Sequence, residues 1–212
     1  MNRRYLTKFF VSAALGLGLA VGAAAQTGDE APDALIKRLS TEVLDNIKAD
    51  KSIQSGDTAK VVALVETKVM PHVNFERMTA SAVGPGWRQA TPDQRKRLQE
   101  EFKTLLVRTY AGALTQVSDQ VIALKPTRAN ADDKEIVVRT EVKGRGDPIQ
   151  LDYRLEKTAG QGAGWKIFNI NVLGVWLVET YKSQFAAEIN TKGIDGLIAL
   201  LAERNKSNAK KG

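Results

Sequence analysis

The hydrophobic pattern of this chain changes period twice, and this change constrains the fold more than any other feature. Up to about Leu114 the apolar residues recur at helical spacing, as in the helix expected over residues 33–50. Residues 121–172 alternate instead between apolar and polar, which is the period of β-strands. From residue 175 the helical spacing returns. Strands between two blocks of helices predict an α+β fold, with a twisted antiparallel sheet packed against a helical bundle.

Capping and turn residues mark where the elements begin and end. Asp57 is an N-cap candidate for a second helix that Pro71 ends, and FERMTASAV reads as a short third helix. Thr91 followed by Pro92 is the clearest helix start in the chain. Glycine-rich turns separate the alternating segments, so these form a meander of about four strands. The predicted strands are residues 121–126, 135–144, 148–157 and 165–172.

The N-terminus has the pattern of a secretory signal. Arg3, Arg4 and Lys8 precede the apolar run FFVSAALGLGLAVG, which is too short to span a bilayer, and Ala25 ends a small-residue cleavage site. We expect residues 1–25 to be a signal peptide and residues 26–206 to be one domain with a helical N-terminal part. Residues 207–212 are then a basic C-terminal tail, and the mature protein is a soluble periplasmic monomer.

Composition excludes several kinds of chemistry. The chain has no cysteine and one histidine, His72, so disulfides, thiolate catalysis and clustered metal ligands are not expected. Without the three basic residues of the signal there remain 28 basic against 24 acidic residues, an excess of 4. That mild excess favours anionic partners such as lipid headgroups, but it lacks the dense basic and aromatic patch of a nucleic-acid interface. We expect neither a cofactor nor a nucleic-acid partner.

The apolar faces of the strands and of the last helices need a partner surface. Ile136 and Val138 share one face of the second strand, and Leu151, Tyr153 and Leu155 share one face of the third. The alternation places Asp152 outward, on the surface. A helical stripe from Val175 to Phe185 is expected to lie over the apolar sheet face, with Trp176 pinned into the N-terminal helices or forming a docking surface. Periodicity alone is compatible with a solid core or with a cavity for an aliphatic ligand.

Four ordered blocks give the chain a resemblance to a known family. FERMTASAVGPGWRQATPDQRKRLQEEFKTLLVRTYAGAL, IQLDYRLEK, WKIFNINVLGVWLVETYKSQF and GIDGLIALL together resemble the MlaC family of periplasmic phospholipid-binding proteins, also called toluene-tolerance auxiliary proteins. The resemblance runs from about residue 35 to 205. Asn169, Trp176 and Lys182 depart from the residues usual in that family.

The resemblance implies a phospholipid carrier whose acyl tails lie in an apolar cavity between sheet and helices. Its partners are then phospholipid, an inner-membrane ABC transporter with an MCE-domain ring, and an outer-membrane lipoprotein–porin complex, and its role is to maintain outer-membrane lipid asymmetry. The residues expected to bind lipid are Val73, Met78, Leu105, Tyr110, Ile136, Val138, Leu151, Tyr153, Leu155, Val175, Val178 and Tyr181.

Two other classes of function stay open on the residues alone. A cone-shaped α+β enzyme acting on an apolar small molecule would need an internal carboxylate, for which Asp152 is the candidate. A periplasmic adaptor that binds only protein would have a solid core. The resemblance favours the carrier, which is not an enzyme.

Overall fold

The computed structural model describes residues 29–127, 130 and 132–209, so the predicted signal peptide 1–25 lies outside the described residues. Helices precede and follow a sheet, which confirms the α+β fold. The helices are α1 (Pro32–Ala49), α2 (Lys51–Gln54), α3 (Thr58–Leu64), α4 (Phe75–Val83), α5 (Gly86–Gln89), α6 (Pro92–Leu114) and α7 (Leu177–Ala209). The strands are β1 (Val121–Leu124), β2 (Glu135–Lys143), β3 (Ile149–Lys157), β4 (Trp165–Val172) and β5 (Val175–Trp176).

The start of α6 confirms the sequence prediction for the longest N-terminal helix. The Thr91 hydroxyl accepts a hydrogen bond from the Gln94 backbone N–H, and the Gln94 side chain accepts one from the Thr91 backbone N–H. This capping box satisfies two backbone donors that a helix start would otherwise leave unpaired. Leu98, Phe102 and Leu105 follow at helical spacing and are buried, so α6 presents one apolar face to the rest of the molecule.

The segment between α3 and α4 is less regular than predicted. Asp57 does cap α3, accepting from the backbone N–H groups of Ala59 and Lys60. The helix then changes to a π-helical turn over Val65–Val69 and a 3₁₀ turn over Met70–His72, which contains Pro71. His72 therefore lies in a helical turn.

The sheet is an antiparallel meander in the order β1-β2-β3-β4-β5, one strand more than predicted within the described residues. Tyr153 of β3 lies between Val138 of β2 and Ile170 of β4, which places these three side chains on one face. A register irregularity follows between Arg154 and Leu155. The opposite face carries the polar residues of the strands.

The extra strand β5 corrects the prediction of a helix from residue 175. The chain reverses at Leu173 and Gly174, whose φ angles are 53° and 87°. Two consecutive positive φ angles make the tight turn that joins adjacent antiparallel strands. Val175 therefore pairs with Val172, and α7 begins only at Leu177. Val175 lies on this short strand and not on the helical stripe.

One edge of β4 has two different neighbours. β5 pairs with its C-terminal end, and Val73 forms a parallel bridge with Ile167 nearer its start. The Asn74 backbone N–H donates to the Ile167 carbonyl at 2.8 Å, which fixes the beginning of α4 against the sheet. The segment before α4 thus connects the helical layer to the strand edge.

Gly193 divides α7 into two halves. Its φ of 69° and ψ of −172° are not helical, and side chains with a Cβ atom rarely adopt them. Helical spacing returns in the sequence from residue 175, but the first half begins only at Leu177, and the second half continues to Ala209. Helix therefore covers the first three residues of the segment predicted to be a basic tail, and 210–212 lie outside the described residues. Both halves pack on α6 or α4 through buried residues such as Phe185 and Leu201.

Candidate functional site

The largest apolar cluster of the molecule lies between one sheet face and the helices. Nine of the predicted lipid-binding residues belong to it and are buried, and Leu151 packs against it from a half-buried position. The nine are Val73, Met78, Leu105, Ile136, Val138, Tyr153, Leu155, Val178 and Tyr181. The structure therefore brings together ten of the twelve residues that the sequence analysis selected.

Tyr110 and Val175 lie outside this cluster. Val175 is 50% exposed on β5, because the hairpin turn at Leu173 and Gly174 carries it away from the helical stripe. Tyr110 is half-buried on α6 beside Tyr181. Burial raises the pKa of Tyr110, and the neighbouring Tyr181 raises it by a smaller amount.

Four aromatic rings form the helical side of the cluster. The Phe102 ring centroid lies 5.0 Å from Tyr181 and 5.2 Å from Phe185, both in edge-to-face geometry, and 5.8 Å from Phe75. Such edge-to-face pairs are favourable beyond the apolar area they bury. Phe75, Phe102 and Phe185 were missed as site residues. The helical spacing of Phe102 and Phe185 was the available signal, but spacing alone does not show which helices meet.

The sheet side contributes Ile167 and Ile170 of β4, which the sequence analysis also missed. Ile167 is 1% exposed and Ile170 packs against the cluster from a half-buried position. Their positions differ by three, whereas strict alternation requires an even difference for two side chains on the same face. The register irregularity opposite Arg154 and Leu155 makes this possible, since it lets both side chains face inward.

The interior is apolar, with two hydroxyl groups at its sheet wall. The Tyr153 hydroxyl lies 3.4 Å from the Ser40 hydroxyl of α1, and burial raises the pKa of Tyr153 to about 12. The Thr140 hydroxyl donates to the Leu151 carbonyl. Both groups are un-ionised at neutral pH, so the cluster offers dispersion contacts and no charge.

The centre of the cluster is closed. Phe102, Val138 and Leu155 have 0% exposed surface, so no space large enough for a water molecule adjoins their side chains. The predicted apolar cavity is therefore filled at this point by the side chains that were expected to line it. A ligand of the size of an acyl tail requires the sheet and the helices to separate.

Asp152 is buried at 3% exposure, which corrects its assignment to the surface. It does lie on the polar face, opposite the cluster, in a row with Arg139, Asn171 and Trp176 across β2 to β5. Its carboxylate accepts from the Gln150 side-chain amide at 2.6 Å and from the Thr140 backbone N–H at 3.3 Å. Asp152 thus points away from the apolar interior, where an acid or base acting on an enclosed apolar substrate would have to lie.

Trp176 also differs from its prediction. It pairs with Asn171 in the sheet, and the Arg154 guanidinium stacks on its ring at 4.0 Å from the centroid. It therefore belongs to the polar face of the sheet and does not pin the N-terminal helices.

Asn169 positions the start of α7. Its side-chain carbonyl accepts from the Val178 backbone N–H at 3.2 Å, and its amide donates to Glu179 at 2.7 Å. Burial acts to raise the pKa of Glu179, but hydrogen bonds from Asn169 and Arg154 hold that pKa below its ordinary value. Asn169 is 1% exposed and fixes the angle at which the helix leaves the sheet, so this departure from the usual family residue has a structural role.

The remaining polar groups of the described residues form no metal site. Burial is the largest cause that lowers the pKa of His72, the single histidine. In the described part of the chain, no three histidine, aspartate or glutamate side chains are close enough together to hold a metal ion. Over the same residues, no helix combines the length and the apolar character needed to cross a bilayer.

Fold and site together define an α+β protein whose closed, uncharged interior is formed by an antiparallel sheet and the helices α1, α4, α6 and α7. The sequence profile of the MlaC protein family matches residues 37–203, and this chain belongs to that family. The expected family assignment is thereby confirmed.

Solved and curated relatives extend the comparison. A phospholipid-binding protein from Ralstonia solanacearum, solved in complex with a phospholipid, is 47% identical with a TM-score of 0.80, covering 84% of this chain and 98% of that one. Toluene tolerance protein Ttg2D of Pseudomonas putida is 29% identical over 81% of this chain and 77% of its own. The intermembrane phospholipid transport system binding protein MlaC of Haemophilus influenzae is 24% identical over 96% and 95%.

Proposed function

We propose that this protein binds a phospholipid and carries it through the periplasm between the two membranes. The observation that carries the proposal is the uncharged apolar cluster between sheet and helices, in a fold shared at 47% identity with a protein solved in complex with a phospholipid. Asp152 is the only acidic or basic residue among the buried residues of the described chain, and it faces the other side of the sheet. The interior is thus suited to holding hydrocarbon and not to converting it.

The energetics explain why a carrier needs such an interior. A phospholipid with two acyl tails has roughly 30 methylene groups, and each contributes about 0.8 kcal/mol against transfer into water. On the order of 20 kcal/mol therefore opposes movement of the bare lipid. Only nearly complete coverage of both tails removes this barrier. The polar headgroup, by contrast, is costly to desolvate and is best kept at the surface.

Loading requires a change of conformation, because the cluster is closed at its centre. Tails can enter only if the sheet and the helices move apart, and separation exposes apolar side chains to water. This cost makes spontaneous exchange slow. We propose that docking on membrane complexes supplies the opening: an outer-membrane lipoprotein–porin complex on one side and an inner-membrane ABC transporter with an MCE-domain ring on the other.

The cellular setting follows from the same proposal. The signal peptide is removed after Ala25, and the mature chain acts as a soluble periplasmic monomer. The transport supports the lipid asymmetry of the outer membrane. No cofactor takes part, and the phospholipid is cargo.

Native mass spectrometry of protein purified without detergent tests lipid binding directly. We expect a complex heavier than the mature chain by the mass of a phospholipid, and the same lipid in an organic extract. A spectrum containing the ligand-free chain alone, with no extractable phospholipid, would contradict the carrier and favour an adaptor with a solid core.

A pair of adjacent substitutions tests which sheet face contacts the tails. Leu151 packs against the cluster and Gln150 lies next to it on the opposite face. We expect Leu151→Arg to reduce lipid stoichiometry strongly, because a guanidinium would enter the hydrocarbon, whereas Gln150→Arg should bind as the wild type does. Equal lipid content in both folded variants would place the tails elsewhere.

A further inference from the structure

A hydrogen bond between two hydroxyl groups connects the helical layer with the sheet. Tyr153 lies on the interior face of β3, the central strand, and its hydroxyl is 3.4 Å from the hydroxyl of Ser40 on α1. Tyr153 is buried, with 8% of its surface exposed, whereas Ser40 is half-buried. The pair therefore lies near the boundary between the apolar interior and water, where α1 meets the sheet.

The surroundings of Ser40 on α1 are apolar. Ile36 and Leu44, four residues before and after it, lie on the same side of the helix and are both buried. Ile36 belongs to the large cluster and Leu44 to a smaller one, so Ser40 lies on α1 between the two. A hydroxyl in such a place needs a hydrogen-bond partner, because burial of an unpaired hydroxyl is costly.

The hydroxyl pair has hydrogen-bonding capacity to spare. Two hydroxyl groups carry two hydrogen atoms, and only one of these lies between the two oxygens. Among the described residues neither hydroxyl forms another hydrogen bond, whereas the buried hydroxyls of Thr79 and Thr140 donate to backbone carbonyls. The separation of 3.4 Å also exceeds the usual length of such a bond, about 2.5–3.0 Å. The pair can therefore donate to a further acceptor.

The proposed loading of lipid breaks the bond between these hydroxyls. Ser40 belongs to the helical layer and Tyr153 to the sheet, so separation of the layers moves the two oxygens apart. Each hydroxyl then faces hydrocarbon without a partner, which is unfavourable. The methylene groups of a lipid offer no acceptor. The ester carbonyls, where the tails join the glycerol, are the acceptors of a diacyl lipid that lie nearest to its hydrocarbon.

We infer that the Ser40 and Tyr153 hydroxyls bind an ester carbonyl of the lipid, and that loading exchanges their mutual hydrogen bond for bonds to this carbonyl. The inference rests on the proposed function and adds a determinant of specificity to it. The tails then occupy the apolar interior, the ester lies at the boundary beside the half-buried Ser40, and the headgroup remains in water. A lipid with ester-linked tails is therefore preferred to the same lipid with ether-linked tails.

Competition between an ester lipid and an ether lipid tests this preference. Dioleoyl phosphatidylglycerol and its diether analogue have the same headgroup and equally long tails, but only the ester lipid has carbonyl groups. The mature protein is incubated with vesicles containing equal amounts of both, and its bound lipid is extracted and quantified by mass spectrometry. We expect the wild type to hold the ester lipid in about fivefold excess, as one net hydrogen bond supplies.

The outcome for the wild type separates the inference from the proposed function. Equal loading of the two lipids overturns the role of the hydroxyl pair and leaves lipid carriage intact. Loading of neither lipid contradicts lipid carriage itself, and the inference falls with it.

Two conservative variants assign the preference to the pair. Tyr153→Phe keeps the ring and removes its hydroxyl, and Ser40→Ala removes the other hydroxyl at a helical position that favours alanine. Each should bring the ratio of ester to ether lipid close to one. The matched control is Thr41→Val, which removes a hydroxyl at the next, exposed position of α1 and should keep the wild-type ratio. A wild-type ratio in Tyr153→Phe would overturn the assignment.

The lipid ratio also distinguishes carbonyl binding from a simple tie between the layers. Loss of a tie changes the exchange of both lipids by the same factor and leaves their ratio unchanged. Infrared spectroscopy of bound phosphatidylglycerol with isotope-labelled ester carbonyls gives an independent measurement, because a hydrogen-bonded carbonyl absorbs at lower frequency. We expect this low-frequency band in the wild type and its loss in Tyr153→Phe. Identical carbonyl spectra in the two proteins would contradict the inference.

Discussion

Tyr153 connects the burial of the sheet face to the pH dependence of stability. Its pKa is raised to about 12 from an ordinary value of 10.0, chiefly by burial. Between these values the unfolded chain loses the phenolic proton and the folded chain keeps it. The free energy of unfolding should therefore fall as pH rises above 10, by up to about 1.4 kcal/mol per pH unit from this residue.

Tyr153→Phe isolates that contribution. The variant keeps the ring but has no proton to lose, so its free energy of unfolding should fall less steeply than that of the wild type above pH 10. Denaturant titrations at several pH values between 9 and 11.5 measure both slopes, and the other tyrosines and the lysines contribute equally to each. Parallel slopes would show that the Tyr153 hydroxyl is accessible to solvent.

Asn169 and Glu179 form a pair that a single substitution should break and a second should repair. Asn169→Asp replaces the amide that donates to Glu179 at 2.7 Å with a carboxylate, which sets two negative charges against each other. We expect a loss of about 1–2 kcal/mol in the free energy of unfolding, moderated by the favourable position of an anion at the start of α7. Adding Glu179→Gln should recover most of the loss, because the new amide can donate to the aspartate. Additive effects in this double-mutant cycle would exclude direct coupling.

For single residues, the sequence predicted which side chains face the interior better than it predicted which polar side chains are buried. Alternation identified Val138, Tyr153 and Leu155 correctly, since the period of a strand fixes the side of every residue. It also placed Asp152 on the correct face but left it exposed. Which outward residues are buried depends on long side chains from other strands, such as Arg154 stacked on Trp176, and no local pattern encodes that contact.

Gly193 determines the shape of α7, and its backbone angles give an element-level prediction. Gly193→Ala should lower the free energy of unfolding by about 1–3 kcal/mol, because a Cβ atom is strained at a φ of 69° and a ψ of −172°. The matched control is Gly112→Ala on α6, where helical geometry and open space make the change stabilising by about 0.5–1 kcal/mol. Chemical denaturation of both variants measures the two effects. A neutral Gly193→Ala would mean that α7 can straighten without loss of packing.

Long elements were predictable because several independent signals agreed on them. The capping box, the proline and the apolar spacing all located α6, and alternation located β2 and β3. The two-residue strand β5 had no such support. Its existence depends on the positive φ angle of Leu173, a residue that rarely adopts one, and on pairing with β4. The same pairing moved the start of α7 by two residues and removed Val175 from the predicted site.

At the scale of the whole molecule, Arg77 ties the helical layer to the sheet. From α4 its guanidinium forms ion pairs with Glu135 of β2 and Glu156 of β3 and stacks on Phe168 of β4 at 3.6 Å from the ring centroid. Arg77→Met keeps an apolar stem over the ring and removes the charge. We expect the free energy of unfolding to fall by about 1–2 kcal/mol, since partly exposed ion pairs contribute little singly but more as a group.

The same variant should exchange lipid several times faster if loading separates the two layers. Vesicle transfer assays measure the rate, and Arg88→Met, an exposed arginine of α5, is the control. Unchanged exchange together with lower stability would mean that the layers open at a place away from α4.

The shared edge of β4 has a consequence for the protein in a crowded solution. Open sheet edges can recruit strands from neighbouring copies and start polymers. Here β5 covers one part of that edge and the Val73 bridge another, and the far edge is the four-residue strand β1. If the protein opens repeatedly and exposes apolar side chains, its sheet edges would then stay covered. Transient opening would therefore not start the growth of fibrils.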